Sequence, residues 1–164
     1  MKSLLTAILA LIFLNSCVFE TPFESAAKIP VDLKLLGRWE GVAAKPDVEP
    51  ERMLVLQHSA NEYVVEYPTG DKAMFFRAYA VELEGQPYIQ IQLLGTAEGP
   101  VKPEDRKYHL LKVSVKDDAL TLSTIDPEVL NIKAGKPTRM KAAFAQHKDD
   151  PKLFGEPVKF GRLK

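Results

Sequence analysis

The chain of 164 residues has one cysteine, one tryptophan and no surplus of either charge, since 22 basic side chains balance 22 acidic ones. A lone cysteine excludes an internal disulfide. Balanced charge without a basic block removes the electrostatic support that nucleic-acid binding needs, and also that for adsorption to anionic lipid. No apolar run reaches the roughly 20 residues of a bilayer-spanning helix. There is no Gly-x-Ser-x-Gly elbow, phosphate-cradling glycine loop or His-Glu-x-x-His. The histidines His58, His109 and His147 stand far apart, none four residues from another, so no zinc site is expected. Asp117-Asp118 and Asp149-Asp150 are turn neighbours whose side chains point apart, which suits solvated turns rather than an acid–base pair. No catalytic residue, metal or cofactor is expected, and the chain reads as a non-enzyme.

What is present begins at the N-terminus. Lys2 precedes an apolar run from Leu4 to Leu14, broken by Thr6, and Leu14-Asn15-Ser16-Cys17 follows. About eleven apolar residues fit a cleaved export signal better than a permanent span. This layout resembles the lipobox of bacterial lipoproteins. The resemblance implies a signal peptide over 1–16, cleavage before Cys17, a diacylglyceryl thioether on its sulfur and acylation (palmitate or a similar chain) of the freed amine. At about 0.8 kcal/mol per buried methylene, two or more chains anchor stably where one is marginal. Val18 follows the cysteine where inner-membrane retention favours aspartate. The resemblance therefore implies the periplasmic face of the outer membrane in a Gram-negative host. Residues 17–30 carry two prolines and no clear period, so they read as the lipidated cysteine and a tether. Phe19 and Phe23 read as linker residues or as side chains at the membrane interface.

The remainder, 31–164, suits a single domain. Twelve prolines, nine glycines and many β-branched and aromatic residues favour strands and turns over a helical bundle. Short alternating runs predict strands near 37–42, 52–58, 62–67, 73–83, 88–93, 108–116, 119–124 and 158–163. Ser59-Ala60-Asn61, Pro68-Thr69-Gly70-Asp71, Glu84-Gly85-Gln86 and Lys116-Asp117-Asp118 supply turns, and 95–107 is a long polar loop. Asp126-Pro127 starts a short helix. A second helix is expected from Thr138, as its cap, to His147, with Met140, Phe144 and His147 on one face. The expected fold is mainly β: a small antiparallel meander closed into a barrel or half-barrel, with the second helix covering one open end.

Gly37-Arg38-Trp39 in the first strand is similar to the Gly-x-Trp that opens the lipocalin barrel. That resemblance implies that Trp39 seals one end and that Arg162, in the last strand, stacks on the indole. A wider likeness, from the lipobox to Asp149-Asp150-Pro151-Lys152-Leu153-Phe154, links the chain to uncharacterised bacterial lipoproteins. It implies architecture and no activity. Leu153 and Phe154 are expected to pack on the sheet.

One strand leaves two readings open. Arg77 shares a face with Phe75, Tyr79, Val81 and Leu83. If that face lines the barrel, Arg77 pairs with a ligand carboxylate or phosphate, with Tyr79 beside it; Tyr63, with Val65 and Tyr67, poses the same question, as a ligand contact or, by preference, core packing. If Met74, Phe76, Ala78 and Ala80 face inward, Arg77 is solvated. A register shift of one residue separates the two. The functional expectation is a membrane-anchored lipoprotein whose barrel binds a small amphiphilic or hydrophobic ligand. The alternative is a structural or interaction accessory of an envelope protein complex, without a ligand.

Overall fold

A computed structural model describes residues 18–42 and 49–164. The expected signal peptide and Cys17 lie outside the described residues. Among the described residues nine strands form: β1 (Gly37–Gly41), β2 (Arg52–Gln57), β3 (Tyr63–Glu66), β4 (Met74–Leu83), β5 (Gln86–Thr96), the two-residue β6 (Gly99–Pro100), β7 (Tyr108–Lys116), β8 (Ala119–Thr124) and β9 (Val158–Arg162). Every pairing is antiparallel, in the order β4-β3-β2-β1-β9-β8-β7-β5, and β4 pairs with β5 to close the ring. The result is an eight-stranded, lipocalin-like closed barrel, with β6 a short hairpin appended to β5. Closure leaves none of the eight main strands as an open edge. The 95–107 segment is thus less open than its composition suggests, because β5 runs on to Thr96 before the chain leaves the sheet.

Local chemistry explains the meander. Between β4 and β5, Leu83 pairs with Gln86, and Glu84 and Gly85 take φ of 51° and 72°. Two successive positive φ values define the tight turn whose twist matches that of the flanking strands. β8 and β9 are joined instead by 125–157, which contains helices α1 (Pro127–Leu130) and α2 (Pro137–His147). The Asp126 carboxylate caps α1 by accepting from Glu128 N at 2.8 Å. α2 begins two residues earlier than expected. Pro137 fills its first turn and Lys136 sits at the cap position without a side-chain bond, so Thr138 is not the cap. Proline in that turn forgoes an amide that would be unsatisfied anyway.

Two apolar cores lie on either side of the barrel wall. Inside are Trp39, Met53, Val55, Tyr63, Tyr67, Phe76, Ala78, Ile91, Leu111, Leu120, Leu122 and Phe160. Outside, Tyr79, Val81 and Leu83 of β4, Tyr88 of β5 and Leu110 of β7 are covered by Met140 and Phe144 of α2, by Leu130 and Leu153, and by Phe19 and Phe23. The Tyr88 and Phe144 rings meet edge to face at 5.2 Å. α2 therefore covers the side of the barrel, not an end as expected. The physical reason is that β4 is apolar on both faces, and a strand buried on both sides needs a second layer.

The segment expected to be a tether is part of the folded body. Phe19 forms a β-bridge with Tyr108, donating its amide at 2.7 Å and accepting from Tyr108 N at 2.8 Å. Glu20 N donates to Lys133 O at 2.7 Å, and Gly135 N donates to Thr21 Oγ1 at 3.0 Å. Phe19 and Phe23 are both 0% exposed and pack edge to face at 5.0 Å. Burying each ring contributes about 1.5–3 kcal/mol, which outweighs the linker character of the surrounding residues. Higher up the wall, Asn61 Nδ2 donates to Ala27 O at 3.2 Å and Val31 N to Ala60 O at 3.0 Å. The segment is a strap running the height of the barrel, from the start of β7 to the β2–β3 turn.

Candidate functional site in the barrel interior

One end of the barrel is sealed by β1, β9 and a 3-10 turn at Leu33–Leu35. Trp39 pairs with Arg162 in the sheet, and the guanidinium carbon lies 4.2 Å from the indole centroid. Arg162 also donates to Leu36 O and Lys34 O, each at 2.7 Å, while Trp39 Nε1 donates to Leu35 O at 3.0 Å. The cation–π contact contributes about 0.5–2 kcal/mol, and hydrogen bonds from a charged donor about 1.5–3 kcal/mol each. Asp118 sits 3.3 Å from Arg162 Nε but is 63% exposed, so water screens it. The arginine is thus held mainly by backbone carbonyls. Gly37 has φ of 120°, and a Cβ there would lie 3.1 Å from Arg162 Nη1. The glycine of the Gly-x-Trp pattern is needed both for its backbone conformation and for the space Arg162 occupies.

Behind this seal is a cavity of about 70 Å³, lined by residues including Leu35, Met53, Val55, Tyr63, Val65, Phe76, Ala78, Ile89, Ile91, Leu111, Val113 and Leu122. Among the described residues no charged side chain lines it. Its two phenols are both engaged with protein groups. Asp32 N donates to Tyr63 Oη at 2.5 Å, and Tyr67 Oη donates to the Glu51 carboxylate. Burial pushes the Tyr63 phenol up from its ordinary value and the Tyr67 phenol further, with Glu51 acting in the same direction on Tyr67. Both stay neutral at physiological pH. The inward-facing Leu35, Val65, Ile89 and Val113 remain only half-buried, so the apolar interior is not wholly sealed.

Of the side chains expected to meet a ligand, only Tyr63 reaches the cavity. Tyr63 pairs with Ala78 and Val65 with Phe76, which turns Phe76 and Ala78 inward and Arg77 and Tyr79 outward. Arg77 is half-exposed on the outside of the barrel, as the second reading expected, but it is paired. It forms an ion pair with Glu62, donating from Nε at 2.9 Å and from Nη2, and it lies over the Tyr79 ring at 5.0 Å. The apolar company that suggested a barrel lining is the outer core beneath the strap.

That outer face contains the polar residue which sequence reasoning missed. Gln90 is 0% exposed. Its Oε1 accepts from Phe23 N at 2.7 Å and Glu24 N at 3.3 Å; its Nε2 donates to Glu24 O at 3.0 Å and Tyr79 Oη at 2.5 Å. Tyr79 Oη in turn donates to Glu24 O at 2.6 Å. Burial pushes the Tyr79 phenol up to about 12. Lys141 of α2 holds the Glu24 carboxylate at 2.8 Å and, chiefly through that hydrogen bond, lowers its pKa. A glutamine alternating with Ile89 and Ile91 looks like an ordinary solvent-facing position; only the strap's course makes it buried.

No family model matches the chain, and comparison with curated proteins and with solved structures finds no match.

The structure keeps the histidines apart, with His58 after β2, His109 on β7 and His147 closing α2. Among the described residues no cluster of three or more His, Cys, Asp or Glu side chains could hold a metal, and no helix is long and apolar enough to cross a membrane. A wider groove of about 460 Å³ lies outside the barrel between Arg38, Arg52, Glu66, Thr69 and the C-terminal Leu163-Lys164. Its lining mixes both charges, and Arg52 is already paired with Glu40 at 2.8 Å.

Proposed function

We propose that this chain is a non-enzymatic envelope lipoprotein, anchored through Cys17, whose barrel takes a slender apolar group into its interior. The observation that carries the binding reading is the unfilled, uncharged cavity behind the Trp39–Arg162 seal. An apolar void of this kind stays dry and gains from apolar atoms. Size narrows the ligand. About 70 Å³ is roughly half of an engineered apolar cavity that accepts benzene and well below the ~300–1,000 Å³ of drug-sized pockets. A whole amphiphile does not fit, but the tip of an alkyl chain does. With Arg77 outside, nothing in the lining recognises a charged headgroup. Lipobox-like residues 14–17 support the anchor, and Val18 supports the periplasmic face of the outer membrane in a Gram-negative host.

The test is lipid extraction and mass spectrometry of the purified protein, followed by titration with a fluorescent fatty acid. Co-purified alkyl chains or saturable binding are expected, and Ala78→Leu, which fills the cavity from β4, should abolish them. No co-purified molecule and no saturable binding would overturn the ligand reading. The accessory reading, in which the outer surface meets an envelope protein, would then stand.

A further inference from the structure

We infer that the anchored barrel is seated directly on the lipid surface in one orientation, with the rim where β7 begins against the bilayer and the Trp39–Arg162 end pointing away. The inference rests on the anchor at Cys17 proposed above and concerns what the strap does to it. A free tether over 17–30 would let the domain wander roughly 20 Å from the membrane. Instead, Phe19 is locked to Tyr108 by two backbone hydrogen bonds and buried, only two residues after Cys17. Two residues span at most about 7 Å. Beyond Phe19, the strap is held again by Gln90 and by Asn61, so it has no slack to release.

The end of the barrel that faces the lipid follows from strand direction. β7 starts at the Tyr108 rim and ends at Lys116, which pairs with Ala119 of β8. Ala119 pairs with Gly161, next to Arg162. The Trp39–Arg162 seal is therefore at the far end, about 27 Å along β7 from Tyr108 at the usual strand rise. The near rim carries the 3-10 turn Pro103–Asp105 and Lys107, which contacts Glu20 at 3.9 Å. Charges of both signs stand there, so the anchor sets the seating rather than attraction to anionic lipid. The occupant of this rim is a bilayer surface.

The experiment uses the full lipidated chain in phosphatidylcholine vesicles containing headgroup-labelled acceptor lipid. A donor dye is placed at Glu104→Cys or Asp117→Cys, and energy transfer is compared. Transfer several-fold higher from position 104 is expected. Ten Gly/Ser residues inserted between Cys17 and Val18, a leash of about 17 Å, should bring the two positions close together. Equal transfer from both positions in the uninserted chain, or higher transfer from 117, would overturn the seating while leaving the anchor intact. Maleimide labelling of the unsubstituted chain tests the anchor separately, because an acylated sulfur does not react. A free Cys17 thiol, with the protein absent from the vesicles, would overturn both.

Discussion

Replacing Gln90 with leucine should loosen the strap while leaving the barrel closed. The side chain makes four hydrogen-bond contacts, and two of them satisfy the backbone amides of Phe23 and Glu24. Tyr79 Oη keeps its bond to Glu24 O at 2.6 Å, so beside Gln90 one attachment survives, with those at Phe19 and Ala27 farther along the strap. A typical hydrogen bond contributes about 0.5–1.5 kcal/mol net, and a buried amide left without a partner costs about 1–3 kcal/mol. The loss falls near 2–4 kcal/mol, or roughly 30- to 700-fold in the opening equilibrium at about 1.4 kcal/mol per factor of ten. Leucine retains the backbone pairing of Gln90 with Tyr79 and Leu110, so the barrel ladder is preserved. Amide hydrogen exchange reads the effect directly. The Phe19 and Phe23 amides should lose protection by that factor, while the amides of Val55 and Leu111 on the inner wall hardly change. Wild-type protection at Phe19 and Phe23 would refute the assignment of Gln90 as the clasp. An equal loss across strap and barrel would show that the strap is not a separately opening unit.

Two further outcomes follow from the seal and the buried phenol. Arg162→Met removes the cation–π contact and two carbonyl hydrogen bonds. It should lower stability by about 2–4 kcal/mol and the melting temperature by about 5–15 °C, with a change in Trp39 fluorescence. Arg162→Lys should recover only part, and an unchanged melting temperature for the methionine variant would argue against the seal. The Tyr79 phenol, pushed up to about 12 by burial, favours the protonated form in the folded state. Its contribution is complete below the unfolded value near 10 and is lost as pH rises through 12, at up to about 1.4 kcal/mol per pH unit. Alkaline unfolding followed by circular dichroism should be less steep for Tyr79→Phe. Identical profiles, with every phenolate forming near pH 10, would contradict this.

Local patterning made the barrel legible. Alternation over Gly37–Gly41, Arg52–Gln57, Tyr108–Lys116 and Ala119–Thr124, with turns at Glu84-Gly85 and Asp117-Asp118, is short-range information, and the strands form within a residue or two of where it places them. Tyr88 to Leu93 extends at both ends into Gln86–Thr96, because pairing with the longer β4 carries the ladder beyond the alternating run.

Function-bearing detail was less visible, for a physical reason particular to β4. This strand is apolar on both faces, so alternation cannot say which face is inside. Choosing the wrong face exchanges Arg77 and Tyr79 for Phe76 and Ala78. Pairing of Tyr63 with Ala78 and of Tyr79 with Gln90 decides it. Residues 18–30 failed differently. Their prolines and lack of period describe a chain with no structure of its own, which holds until two phenylalanines find an apolar wall and a buried glutamine accepts the Phe23 and Glu24 amides.

The sequence by itself determined the strands, the turns, the pairing-ready Trp39 and Arg162 and the balanced, motif-poor chemistry, because each depends on neighbours a few residues away. Only the tertiary structure decided which face of β4 lines the cavity, how little space remains inside it, and that the presumed tether is a strap. The face of β4 depends on strand pairing such as Tyr63 with Ala78, and the strap on contacts still farther apart in sequence, Phe23 with Gln90 and Glu24 with Lys141, none of which a local pattern encodes.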